Sequence, residues 1–150
     1  MSALTGLTTD GQLTEVEWPY GNPLYTAGPP AAAAASTRRK SSPWRAVGRT
    51  SLTDLLGMLQ RGDAVILSVW VVDYVWFDAA TDGYIDAPPG EPLTDLHAVL
   101  AVGLTSMNGT TVVEFKNSWG TGWGDAGYGY LTEGYWTRYV RTTWTMAAYE

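Results

Sequence analysis

Cysteine is missing from all 150 residues of the chain. That absence excludes disulfides, thiolate metal sites and a cysteine nucleophile within these residues, and it fits a reducing compartment. Positive charge is scarce as well: 9 Lys and Arg face 15 Asp and Glu, a formal net charge of −6. A nucleic-acid backbone is therefore not the expected partner, because phosphate recognition needs clustered Lys and Arg. The one basic run, Arg38-Arg39-Lys40, lies in a low-complexity stretch and reads as a solvated loop. No apolar run approaches the roughly 20 residues that span a bilayer, so no membrane partner is expected. Met1 to Gly11 has neither a basic segment nor an apolar core, and does not read as a secretory signal. The expectation is a cytoplasmic protein that holds no metal and no cofactor.

What is present describes a folded chain. Hydrophobic residues make up 45% and charged residues 16%, whereas disorder needs low hydrophobicity and high net charge. The length suits one domain, residues 1–150. Aromatic content rests on 8 Trp and 9 Tyr against 2 Phe. Trp and Tyr join an apolar body to a polar handle, which suits a β-rich core and half-buried surfaces. Residues 28–42 read as a flexible surface loop within the domain, because Pro29-Pro30 opposes helix at the start of the alanine run that follows.

Ser51 to Arg61 carries the clearest helix signal. Ser51 is placed to cap it, and Asp54 favours the positive helix end. Leu52, Leu55, Leu56 and Leu59 fall on one face, and Gly62 supplies a stop. Strand patterns follow at Ala64–Val72, His97–Leu104, Thr111–Lys116, Tyr128–Thr132 and Arg141–Ala148. Asn108-Gly109 is a strong hairpin signal between the second and third of these. One helix followed by four or five strands predicts an α+β chain, mainly β: a small antiparallel barrel or curled sheet.

The stretch carrying chemistry runs from His97 to Leu131. It holds His97-Ala98-Val99, then Lys116-Asn117-Ser118-Trp119-Gly120-Thr121-Gly122-Trp123-Gly124, then Gly127-Tyr128. His97 is the single histidine of the chain. Antiparallel pairing through the Asn108-Gly109 hairpin can bring it beside Asn117. This series closely resembles the papain family of cysteine peptidases, and Trp18-Pro19-Tyr20 resembles that family's Pro-Tyr segment. The resemblance runs from about Gln12 to the C-terminus.

It implies the fold of the family's second lobe, a curled antiparallel sheet or half-barrel. It implies that His97 occupies the catalytic-histidine position, Asn117 the orienting asparagine and Trp119 the shielding tryptophan. Leu96, Ser118 and Trp123 become possible cleft-lining residues, although packing is the plainer role for Trp123. Leu96 departs from the polar or small residue that often precedes the family's histidine.

The family's nucleophile helix and its oxyanion glutamine precede the Pro-Tyr segment, and the chain is expected to start too late to contain them. Gln12 is not followed by a nucleophile helix. Ser41-Ser42-Pro43-Trp44 follows the Pro-Tyr segment and is interrupted by proline, so Ser42 is not a credible replacement. The expected function is therefore a catalytically incomplete peptidase domain that binds a peptide or protein. The alternative is the His/Asn subunit of a split cysteine peptidase, active with a separate cysteine-bearing chain. Either could form a homodimer to cover the face that a missing lobe would leave exposed.

Overall fold

The computed structural model describes residues 3–14, 16, 38, 40, 43–90 and 95–146. Trp18-Pro19-Tyr20, Ser41 and Ser42 lie outside the described residues, as does the 28–42 stretch apart from Arg38 and Lys40. The chain clusters into two compact units, Met1–Trp44 and Arg45–Glu150. In the first, helix α1 spans Ala3–Thr9. It closes where the amides of Asp10 and Gly11 both donate to the Gly6 carbonyl.

The second unit is built on one seven-stranded sheet. Its strands are β1 (Arg45–Gly48), β2 (Ala64–Val71), β3 (Tyr84–Ile85), β4 (Asp95–Met107), β5 (Thr110–Lys116), β6 (Tyr128–Thr132) and β7 (Val140–Met146). Their spatial order is β1-β7-β2-β4-β5-β6-β3, an open sheet with β1 and β3 at its edges. Every pairing is antiparallel except β3 with β6, which is parallel. The mainly β architecture is the one expected from the sequence. The parallel edge pair was not foreseen, because β3 is only two residues long.

Helix α2 (Leu52–Gln60) forms where the periodicity places it. The Ser51 hydroxyl accepts from the Asp54 amide, and the Asp54 carboxylate accepts from the Ser51 amide and hydroxyl. Those hydrogen bonds from Ser51 hold the Asp54 carboxyl below its usual range. The buried stripe differs by one position from the leucine pattern. Leu55 and Met58 are buried while Leu56 is exposed, and Leu52 and Leu59 pack partly buried against the same core. Two further helices interrupt the strands: α3 (Asp73–Asp78) and α4 (Glu133–Tyr139). Both are rich in Tyr, Trp and β-branched residues, which lose χ1 freedom in helices and read as strand. Packing overrides that bias, since Trp76 of α3 and Tyr135, Trp136 and Tyr139 of α4 are all buried.

The core lies under the inner face of the sheet. Val65, Leu67, Val69 and Val71 of β2 alternate inward, and Val99 and Ala101 of β4 and Phe115 of β5 join them. The β4–β5 connection sets the register that matters most. Met107 pairs with Thr110, and the two intervening residues have φ of 53° at Asn108 and 76° at Gly109. Positive φ at both central positions makes the tight turn whose twist matches antiparallel strands.

One polar chain ties α3 to the sheet. The Trp76 indole Nε1 donates to the Tyr135 hydroxyl at 2.8 Å, and that hydroxyl donates to the Trp70 carbonyl at 2.9 Å. Burial pushes the Tyr135 phenol up to about 12, and a hydrogen bond to Asp125 pushes Tyr130 up to about 12. Unfolded tyrosines ionise near 10. Stability held by the neutral phenols is therefore complete below pH 10 and lost as pH rises through 12. Tyr135→Phe strands a buried donor and a carbonyl, and is expected to cost about 1–3 kcal/mol. Urea unfolding across pH 8 to 12 should show that loss, with a shallower alkaline decline in the variant; an unchanged midpoint contradicts it.

Candidate active site

His97 stands near the start of β4 and Asn117 directly after the end of β5. Register brings them together: Leu100 of β4 pairs with Lys116 of β5, so the residues just beyond meet at one end of the strand pair. The His97 Nε2 lies 2.9 Å from the Asn117 Oδ1.

The direction of this hydrogen bond follows from a neighbour. The Ser118 amide donates to the same Asn117 atom at 2.8 Å. A backbone N–H can only donate, so that atom is the amide oxygen and not its nitrogen. An oxygen accepting from Ser118 can only accept from His97, so Nε2 carries the ring proton. The Nδ1 of the neutral ring is then left with its lone pair, as a base. Among the described residues the buried Asn117 Nδ2 has no partner. The side chain therefore acts here as an acceptor.

Aromatic rings enclose the pair. Trp119 stacks on the His97 ring with centroids 5.2 Å apart and planes 26° apart. Trp76 meets the His97 ring edge to face, with centroids 5.7 Å apart and planes at 83°. Trp76 is also within 6 Å of Phe115, Trp119 and Trp123. Low-dielectric walls strengthen the His97–Asn117 hydrogen bond and keep water from competing for it. Trp123 is buried, and its Nε1 donates to the Trp76 carbonyl at 3.1 Å.

Tight turns hold the loop that carries these groups. The Asn117 amide donates to the Gly127 carbonyl, and the Gly127 amide to the Trp123 carbonyl. Gly124 has φ of +59°, and a Cβ there would sit 2.2 Å from the Tyr128 carbonyl oxygen. Only glycine fits both demands.

Beside His97 is an open recess of about 370 Å³ lined by Val71, Asp73, Trp76, Phe77, Asp95, Leu96, His97 and Trp119. Of the residues singled out in the sequence, His97, Asn117 and Trp119 are brought together. Leu96 joins them as recess lining. Ser118 contributes its backbone amide, and Trp123 packs beneath. Trp76 and Phe77 were missed. Their only signal is an aromatic pair just beyond the Ala64–Val72 strand pattern.

The family pattern described as papain family cysteine protease matches residues 18–146. The chain belongs to that family. A cysteine protease of Blomia tropicalis is 49% identical over 39 residues, which is 26% of this chain and 12% of that protein. Among solved structures, digestive procathepsin L2 proteinase from Tenebrio molitor larval midgut superposes with a TM-score of 0.74 at 23% identity. It covers 97% of this chain, which spans 46% of its length. Xylellain, a cysteine protease from Xylella fastidiosa, gives a TM-score of 0.73 at 23% identity over 98% of this chain and 60% of its own. The chain thus spans 46% and 60% of the length of these two solved structures, and its match to the curated relative spans 12% of that protein. Among the described residues no helix is long and apolar enough to cross a membrane.

Trp119 stacks on the His97 ring and is itself 42% exposed, so a shielding role would place it between the hydrogen bond and solvent. Trp119→Ala is expected to leave the sheet intact and to accelerate solvent exchange of the His97 ring N–H by tenfold or more. The downfield imidazole proton signal should broaden or vanish in the variant while the amide spectrum of β4 and β5 persists. A signal as sharp as in the parent contradicts the shielding role.

Proposed function

We propose that this chain supplies the general-base half of a papain-family cysteine peptidase site, with the thiol contributed from outside these 150 residues. The observation that carries this reading is the intact base arrangement. Nε2 is committed to Asn117, Nδ1 is left as the acceptor, and the ring packs against the adjoining Trp119 and Trp76. A domain serving only as scaffold has no chemical need for a tautomer held in this way.

The chemistry follows from general rules. A cysteine thiol beside Nδ1 gives up its proton to the imidazole, and the thiolate attacks the peptide carbonyl. The imidazolium, stabilised by the Asn117 oxygen, then returns that proton to the leaving amine as the C–N bond breaks. Water, deprotonated by the same Nδ1, releases the acyl group. Removing the base from such a set costs about 10²–10⁴-fold in rate, and the members act as a unit.

A second reading is a catalytically incomplete domain that binds a peptide or protein without cleaving it. The open recess beside His97, with Leu96 48% exposed and Phe77 67% exposed on its lining, favours it. The readings separate in one experiment. The chain is purified alone and in its native assembly, and both are assayed for peptide hydrolysis and for sensitivity to thiol alkylation. The base-half reading predicts no hydrolysis by the chain alone, alkylation-sensitive hydrolysis by the assembly, and at least a 100-fold loss with His97→Ala. Binding without hydrolysis in both preparations supports the second reading. Hydrolysis by the chain alone contradicts both.

A further inference from the structure

Three asparagines stand in the chain, Asn22, Asn108 and Asn117. A carboxamide can be attacked by the main-chain nitrogen of the residue that follows it, and the surroundings of the three differ on that point. Asn22 precedes Pro23, whose nitrogen carries no proton to give up. Asn117 is buried, and its Oδ1 accepts from both His97 and the Ser118 amide. The nitrogen that would have to attack there is spent as a donor. Asn108 precedes Gly109, which has no Cβ to hinder the approach.

Packing leaves this last pair open. Asn108 and Gly109 are exposed, as are Thr105, Ser106, Thr110 and Thr111 beside them. A Cβ at Gly109 would meet nothing within 4 Å. Asn108 sits at φ of 53°, a left-handed conformation that asparagine tolerates better than most residues. The mirror-image turn also holds its ψ near about +30°, which turns the Gly109 nitrogen away from the side-chain carbon. The closed turn is thus protected, and attack requires the tip to open. Opening releases the Met107–Thr110 and Ser106–Thr111 pairs. It exposes no core, because the first buried side chain of β5 is Val112. Segments with few buried contacts open at free energies well below that of global unfolding.

We infer that Asn108 is a site of spontaneous deamidation, gated by opening of the β4–β5 hairpin tip. The Gly109 nitrogen gives its proton to solvent base and bonds to the Asn108 Cγ. The bond from that carbon to Nδ2 breaks, and Nδ2 leaves as ammonia. Water then opens the five-membered imide at either carbonyl. Opening at the side-chain carbonyl gives aspartate, and opening at the main-chain carbonyl gives isoaspartate. One water is consumed and one ammonia released, with no oxidant or cofactor. Both products place a new carboxylate on a chain whose net charge is already −6. The isoaspartyl product also adds a methylene to the main chain. A two-residue turn matched to its strands does not absorb the extra atom, so the Met107–Thr110 pair is lost.

The test holds the purified chain in mildly alkaline buffer made with water enriched in heavy oxygen, beside a synthetic peptide spanning Ser106–Thr111. Samples are digested and mapped by mass spectrometry, with aspartyl and isoaspartyl peptides separated by chromatography. The expected result is conversion at Asn108 with uptake of one solvent oxygen, roughly 10- to 100-fold slower than in the peptide, and none at Asn117 over the same interval. In the isoaspartyl fraction the Met107 and Thr110 amides are expected to lose their protection from hydrogen exchange. No conversion at Asn108 over a hundred peptide half-lives overturns the site. Conversion as fast as in the peptide overturns the gating by the turn. Conversion at Asn117 at the same rate as at Asn108 overturns local opening, and retained protection at Met107 and Thr110 overturns the loss of the pair.

Discussion

The site depends on one hydrogen bond, from the His97 Nε2–H to the Asn117 Oδ1, and on the Ser118 amide that decides its direction. Two donors converge on one oxygen, which fixes the amide and the imidazole together. Neither residue could do this alone. The imidazole has two tautomers of similar energy in water, and the amide can flip between two orientations. The backbone of the loop after β5 removes both ambiguities. It is itself held by the Asn117–Gly127 and Gly127–Trp123 hydrogen bonds and by a glycine at position 124 that no larger residue can replace.

Trp76 is the second support, and it links the site to the core. Its ring touches His97, Phe115, Trp119 and Trp123; its Nε1 reaches Tyr135, and its carbonyl accepts from Trp123. Helix, sheet and loop therefore meet on one buried side chain. Aromatic pairs of this kind each contribute about 0.5–1.5 kcal/mol beyond the area they bury. Tyr135 and His97 therefore share one buried neighbour, Trp76.

Much of this was legible in the sequence where local rules and tertiary context agree. The capping pair Ser51 and Asp54 and the Asn108-Gly109 turn each have a local cause, and each formed as read; the apolar Ala64–Val72 run formed a strand, β2, whose burial alternates. The His97–Asn117 pairing was legible because the hairpin turn fixes register, and register fixes which residues meet at the strand ends. Helices α3 and α4 were not legible, because Tyr, Trp and Val carry strand-like propensity and only burial of Trp76 and Tyr135 reverses it. For the same reason Trp76 could not be assigned to the site: its place beside His97 comes from long-range packing and not from any motif. The parallel pairing of β3 is equally non-local, resting on two residues, Tyr84 and Ile85, that meet Tyr130 and Leu131.

The His97–Asn117 arrangement is formed within this chain. The most direct measurement is the long-range proton–nitrogen correlation spectrum of His97 in the isolated chain, at a pH where the ring is neutral. As the single histidine of the chain, it reports without overlap. The account predicts a single tautomer, protonated at Nε2 with Nδ1 bare. A ring protonated at Nδ1, or one averaging between the two tautomers, would contradict it.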